Sequence, residues 1–145
     1  MISIPRPPRT IGFLLVSLLL ASGCGQNDAN RGAISGEVTL DGTPIVQGSI
    51  LFVPIEGAVG AVTGGPIENG RYQLSGNIGP AVGWNRIEVH APRKTGKLIP
   101  KGLGGTGEMV DEQVEAVAPS FNSASTLKIE IQPGDNTANF EVTAK

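Results

Sequence analysis

The stretch from residue 34 to residue 54, ISGEVTLDGTPIVQGSILFVP, decides the fold class. In its first part Ile34, Val38 and Leu40 share one face of an extended chain while Ser35, Glu37 and Thr39 share the other, the period-two pattern of a half-buried strand. Asp41-Gly42-Thr43-Pro44 then carries turn chemistry. Glycine takes the positive φ of a tight turn and aspartate hydrogen-bonds nearby backbone, so the chain reverses here. Gly48-Ser49-Ile50-Leu51-Phe52-Val53 is nearly continuous in apolar residues, which suits a central strand, and Pro54 ends it. Strand, tight turn and strand in immediate succession define an antiparallel β protein.

Working outward, the same grammar recurs. The glycine-rich passage 57–65 holds a short strand around residues 61–63, and Glu68-Asn69-Gly70 is a hairpin signal leading into Arg71-Tyr72-Gln73-Leu74, with Tyr72 and Leu74 on one face. Gly79-Pro80 and Gly83 punctuate the chain before Arg86-Ile87-Glu88-Val89-His90-Ala91, where Ile87, Val89 and Ala91 point inward and His90 outward. Segments 127–131 and 139–143 alternate strictly. Joined across Pro133-Gly134-Asp135-Asn136, they are expected to form a last antiparallel hairpin whose core face is Leu127, Ile129, Ile131, Phe140 and Val142. About seven short strands with turn signals every ten residues or so indicate a sandwich, with a small barrel as the alternative. The segment 92–126 breaks the pattern and reads as a long loop.

Composition agrees. The 145 residues allow one core, and 21 glycines and 11 prolines against 4% aromatics favour turns and short strands over long helices. The net charge of −2 becomes −4 once Arg6 and Arg9 are set aside with the segment expected to be cleaved. Such a surface has no electrostatic reason to seek nucleic acid. One cysteine permits neither an internal disulfide nor a cysteine-based metal cluster.

That cysteine has a different context. The N-terminus, MISIPRPPRTIGFLLVSLLLASGC, places Arg6 and Arg9 before an apolar run over residues 11–20 and small residues before Cys24, the three-part layout of a secretory signal. The run is about half the roughly 20 residues of a membrane-spanning helix, and polar residues follow it at once. Leu20-Ala21-Ser22-Gly23-Cys24 resembles the bacterial lipobox, with Ala21 where leucine is commonest. The resemblance implies that Cys24 receives a diacylglyceryl group and becomes the new N-terminus. The expected organisation is therefore a signal peptide at 1–23, a flexible tether at 24–32 and one folded domain at 33–145.

The order of motifs in that domain resembles the carboxypeptidase regulatory-like, transthyretin-like β-sandwiches of small bacterial lipoproteins. It rests on the run from Gly36 to Ile45, on Gly48-Ser49-Ile50-Leu51-Phe52-Val53-Pro54, on Asn69-Gly70-Arg71-Tyr72-Gln73-Leu74 and on Pro119-Ser120-Phe121-Asn122. The chain departs from the family's pattern at Val82-Gly83-Trp84-Asn85-Arg86-Ile87, where a proline and a tyrosine are replaced. The resemblance implies an antiparallel Greek-key β-sandwich of the transthyretin (prealbumin) type in an extracytoplasmic setting, and it implies no single activity.

Catalytic chemistry finds little footing in the sequence. His90 is the only histidine, no serine sits in a nucleophile elbow, and the C-terminus lacks the tail that the transthyretin-like hydroxyisourate hydrolases carry. The segment 102–107 is glycine-rich but lacks the Gly-Lys-Ser/Thr of a phosphate loop. Glu108, Asp111, Glu112 and Glu115 lack the ligand spacing of a calcium loop and read as a solvated face, with a short helical turn, screening Arg93, Lys94, Lys97 and Lys101. Trp84, in a glycine-rich bend, is the candidate ligand contact, an aromatic platform for a sugar. The expectation is a non-enzymatic protein without cofactor or metal, exported and held at the extracytoplasmic face of a cell-envelope membrane through lipid on Cys24. Its partners would be an envelope protein or a surface polymer. The alternatives are a glycan- or small-solute-binding module and, behind it, a hydrolase dependent on His90.

Overall fold

The computed structural model describes residues 30–102 and 107–145, and among these the protein is all-β. The strands are β1 (Gly32–Leu40), β2 (Thr43–Pro44), β3 (Gln47–Pro54), β4 (Thr63–Glu68), β5 (Arg71–Leu74), β6 (Gly83–His90), β7 (Pro92–Pro100), β8 (Met109–Glu115), β9 (Lys128–Ile131), β10 (Gly134–Thr137) and β11 (Phe140–Val142). β7 and β8 pair only with each other. The remaining strands form one sheet in the order β10-β1-β5-β4-β3-β6-β9, with β2 and β11 also on β1.

The two tight turns form as their residues dictate. Asp41 and Gly42 have φ of 50° and 77°, and Asn69 and Gly70 have 50° and 78°, the double positive φ of hairpin turns. β3 is central, flanked by β4 and β6 along its length. β4 and β5 share the single pair Glu68↔Arg71, so the sheet opens at that corner into two layers, β10/β11-β1-β5 and β4-β3-β6-β9. The inward faces supply one core: Ile34, Val38, Tyr72, Leu74 and Val142 from the first layer, and Ile50, Phe52, Ile67, Ile87, Val89 and Ile131 from the second. Phe52 meets Tyr72 across the layers with ring centroids 6.1 Å apart.

Closure follows from chain geometry. β9 and β10 lie at opposite ends of the strand order, yet only Gln132 and Pro133 separate them. A flat seven-strand path would put its edges about 29 Å apart at about 4.8 Å per strand, whereas three Cα steps span at most about 11 Å. The sheet must curl until its edges meet. Asn136 stitches the seam: its Nδ2 donates to Gln132 O (2.9 Å) and Ala33 O (3.0 Å), and its Oδ1 accepts from Gln132 N (3.0 Å).

Several expectations are corrected. Segments 127–131 and 139–143 bury the predicted face, but they are not a hairpin: β9 lies antiparallel beside β6, and β11 lies parallel to β1. Alternation specifies which side is buried, not which neighbour fills the ladder, and the Pro133-Gly134 link crosses between layers instead of turning within one. With β10 also parallel to β1, the sheet is not purely antiparallel. The short strand expected at 61–63 is instead Thr63–Glu68, running through Pro66. Proline is tolerated because the side of β4 away from β3 carries almost no ladder. The loop 92–126 is mostly the β7–β8 hairpin, and the acidic residues expected on a helical turn flank or occupy strand β8. Both faces of that ribbon are wet, so no period-two pattern marked it. Residues 30–32, expected in the tether, are bonded to the sandwich: Asn30 O accepts Val82 N (2.8 Å) and Gly32 N donates to Pro80 O (3.0 Å).

Candidate interaction surfaces

Cys24, the expected lipidation position, lies outside the described residues. The first described residues are clamped at one end of the sandwich: Asn30 Nδ2 donates to Val59 O, and Arg31 Nη1 donates to Gly79 O at 2.8 Å. β1 leaves this end, β6 runs in the same sense away from Ala81, and the β7–β8 hairpin departs from its far end. The N-terminal attachment and the hairpin therefore occupy opposite ends of the domain.

Trp84 is not in a bend but in β6, on the outer face it shares with Arg86, Glu88 and His90, because Asn85 takes the inward position beside Gly83. Asn85 is fully buried and its Nδ2 donates to Ala81 O (2.7 Å) and Gly83 O (2.9 Å). The half-buried indole lies under Lys128, whose Nζ sits 5.1 Å from the ring centroid and 2.7 Å from Glu56 Oε1. One face of the aromatic platform is thus covered by an ammonium group. Tyr72 belongs to the core, as its shared face with Leu74 implies, and donates its hydroxyl to Ala138 O at 2.9 Å. Burial pushes that hydroxyl's pKa well above the ordinary phenol value.

His90 points outward as expected and lies between two carboxylates. Its Nδ1 is 3.1 Å from Glu115 Oε2 and its Nε2 is 3.8 Å from Glu88 Oε2, while Glu88 Oε1 meets Arg86 Nη2 at 2.7 Å. Ser49 is the cross-strand neighbour of His90, but among the described residues no hydrogen bond joins the histidine to a serine. The imidazole is oriented by acids on both sides.

Glu115 is a structural residue that the sequence reading missed. It pairs with Pro92, which has no N–H, so the base of the hairpin lacks a ladder donor. The Glu115 carboxylate compensates: Oε1 accepts from Ala91 N and from Val117 N, both at 3.0 Å, while Oε2 faces His90. Partial burial opposes the charge, yet the two backbone donors and His90 outweigh it and hold the Glu115 carboxyl below the usual carboxylate range. Further out, Lys94 pairs with Asp111 (2.5 Å), Lys97 with Glu112 (3.4 Å) and Lys101 with Glu108 (3.1 Å). The readable signal was a run of cations and a run of anions on either side of a glycine-rich segment, the layout of a ribbon closed by cross-strand ion pairs.

An open groove of about 700 Å³ crosses the corner between the layers, lined among others by Ser35, Glu37, Glu68, Arg71, Gln73 and Asn139. Arg71 Nε lies 3.6 Å from Glu37 Oε1, and Asn139 Oδ1 accepts from Glu37 N at 2.9 Å. Among the described residues no group of three or more histidines, cysteines, aspartates or glutamates could hold a metal ion.

No family model and no curated protein matches the chain. A crystal structure of a 9R-lipoxygenase from Cyanothece PCC8801 aligns over 94% of this chain and 18% of its own length, at 12% identity and a TM-score of 0.35. At that score the likeness carries no argument, and the chain spans less than a fifth of that protein.

Proposed function

We propose that the protein is a non-catalytic, lipid-anchored component of the bacterial cell envelope, whose β-sandwich presents an interaction surface on the extracytoplasmic side. The observation that carries this reading is the pairing of the lone cysteine with its context. Cys24 follows a short apolar run and small residues, and Asn30, which is bonded to the sandwich, stands only six residues further on. Six steps of extended chain span at most about 20 Å, so lipid on Cys24 would hold the clamped end of the domain close to a bilayer. The hairpin at the other end would point away from it. Two or more acyl chains anchor stably where one is marginal.

The test is the intact mass of the full-length chain recovered from bacterial membranes, beside a Cys24→Ala variant. A mass matching cleavage before Cys24 plus diacylglyceryl and acyl groups, lost in the variant, is the expected result. An unmodified soluble mature chain would overturn the anchor and leave a freely secreted sandwich.

A further inference from the structure

One end of the sandwich is built from loops that carry almost no charge. β1 begins there, and the antiparallel registers bring to it the loop 55–62 between β3 and β4, the turn 75–82 between β5 and β6, and Gln132-Pro133 between β9 and β10. Over residues 30–31, 55–62, 75–82 and 132–133 the only charged side chains are Arg31 and Glu56, and Glu56 is paired with Lys128 at 2.7 Å. The same loops leave Val59 (75%), Val62 (55%) and Ile78 (48%) exposed. By contrast, the exposed Leu98, Met109 and Val114 of the β7–β8 hairpin stand among its lysines and acids, and Val46 lies apart at the opposite end, beside Asn69.

The apolar loops are held in place. Glu56 and Gly57, with φ of 52° and 87°, turn the first loop back, Ile55 N donates to Trp84 O (2.9 Å) and Ala58 N donates to Ile55 O (3.0 Å). Gly60 comes so near the second loop that a Cβ on it would lie 2.7 Å from Ala81 Cβ. Ile78 closes a short 3-10 turn, its N donating to Ser75 O at 3.3 Å. The two residues that lead in from Cys24 stitch both loops together: Asn30 Nδ2 donates to Val59 O, and Arg31 Nη1 donates to Gly79 O at 2.8 Å. The surface that presents Val59 is therefore the surface from which the tether leaves.

We infer that this end is a bilayer-contacting surface: Val59, Val62 and Ile78 enter the interfacial layer of the membrane and hold the domain upright, with the β7–β8 hairpin directed away. The inference rests on the lipid-anchor reading above. Interfacial binding scales with buried apolar area and with attraction to anionic lipid, and three side chains without a basic cluster would hold a free protein only weakly. A six-residue tether changes that balance, because a short link keeps the loops at an effective concentration on the order of 1 mM at the bilayer. With its one exposed acid paired, the contact is indifferent to lipid charge and to salt.

The experiment follows a single tryptophan in the full-length chain, expressed in bacteria, purified from membranes and reconstituted into phosphatidylcholine vesicles with or without bromine on the acyl chains. In a Trp84→Phe background, Val62→Trp puts the reporter on this end and Leu98→Trp puts it on the hairpin. Brominated vesicles should reduce the emission of Val62→Trp at least twofold and leave Leu98→Trp unchanged, and adding Val59→Asp should remove at least half of the quenching at Val62→Trp. Because Val59 is exposed, an unchanged urea midpoint is expected to show that the Val59→Asp protein is folded. Absence of quenching at Val62→Trp, equal quenching at both positions, or quenching indifferent to Val59→Asp would each overturn the contact. The intact mass of the same preparation reports the anchor separately. If Cys24 proves unmodified, the anchor reading fails; coupling the Cys24 thiol to a maleimide phospholipid in the same vesicles then decides the contact by itself, on the same outcomes.

Discussion

Gly36→Ala should unfold the sandwich far more readily than the same substitution at Gly65, with opposite sign. Gly36 lies where β1 exchanges one parallel neighbour for another: its pairing with β10 ends at Ser35↔Thr137 and its pairing with β11 begins at Val38↔Phe140. The link between them crowds β1 so closely that a Cβ on Gly36 would lie 1.7 Å from Ala138 O and 2.7 Å from its carbonyl carbon. Relief requires moving backbone that holds three hydrogen bonds: Ala138 N to Ser35 O (3.0 Å), Tyr72 Oη to Ala138 O (2.9 Å) and Glu37 N to Asn139 Oδ1 (2.9 Å). At about 1 kcal/mol each the loss is about 3 kcal/mol, offset by about 0.4–1 kcal/mol from the stiffer unfolded chain, for a net of about 2–3 kcal/mol. At Gly65 the nearest atoms to an added Cβ are those of Leu74 at 3.6 Å or more, ordinary contact. Alanine there should stabilise by about 0.5–1 kcal/mol. Urea unfolding of both variants and the parent measures this. With a slope of about 1.5 kcal/mol per molar, Gly36→Ala should lower the midpoint by about 1.3–2 M and Gly65→Ala should raise it by about 0.5 M. A Gly36→Ala protein as stable as the parent, or a Gly65→Ala protein as damaged as Gly36→Ala, would refute the closeness of the β1 crossing.

Two further outcomes follow from titratable groups. Glu115 is held below the usual carboxylate range in the folded state, so its contribution to the hairpin base is complete above the unfolded value of about 4.5 and disappears as pH falls through the folded value. Hydrogen exchange at the Ala91 and Val117 amides should show protection lost on acidification below about pH 4.5, and Glu115→Gln should already lack most of that protection at neutral pH. Tyr72, the single tyrosine, has its pKa raised by burial, so its stabilising effect is complete below about pH 10 and lost above it; its phenolate absorbance should appear only together with unfolding. Tyr72→Phe keeps the ring contacts and loses one hydrogen bond to Ala138 O, lowering stability by about 1 kcal/mol in the same urea experiment.

How much was legible differs from element to element. β1, β3, β5 and β6 were readable because each buries one face or lies at the centre of the sheet, and burial writes itself into composition at period two. The Asp41-Gly42 and Asn69-Gly70 turns were readable because both need positive φ at adjacent residues. The inward positions of the last segments were readable for the same reason as β1. Their partners were not: the ladder is made of backbone groups common to every residue, so no side chain records that β9 joins β6 or that β11 joins β1.

The sequence by itself determined that this is an all-β chain, which side of most of its strands is buried, and that its one cysteine follows a short apolar run and small residues; Ile67 and Val117 of the core were not legible in it. The tertiary structure alone decided that the sheet closes at the Asn136 seam, that Glu115 replaces the donor missing at Pro92, and that the charged runs on either side of residues 102–107 form a ribbon at the end opposite Asn30. The physical reason is one of range. Burial and turn conformation are local and leave local marks, whereas register, closure and cross-strand ion pairing bring together residues far apart in sequence.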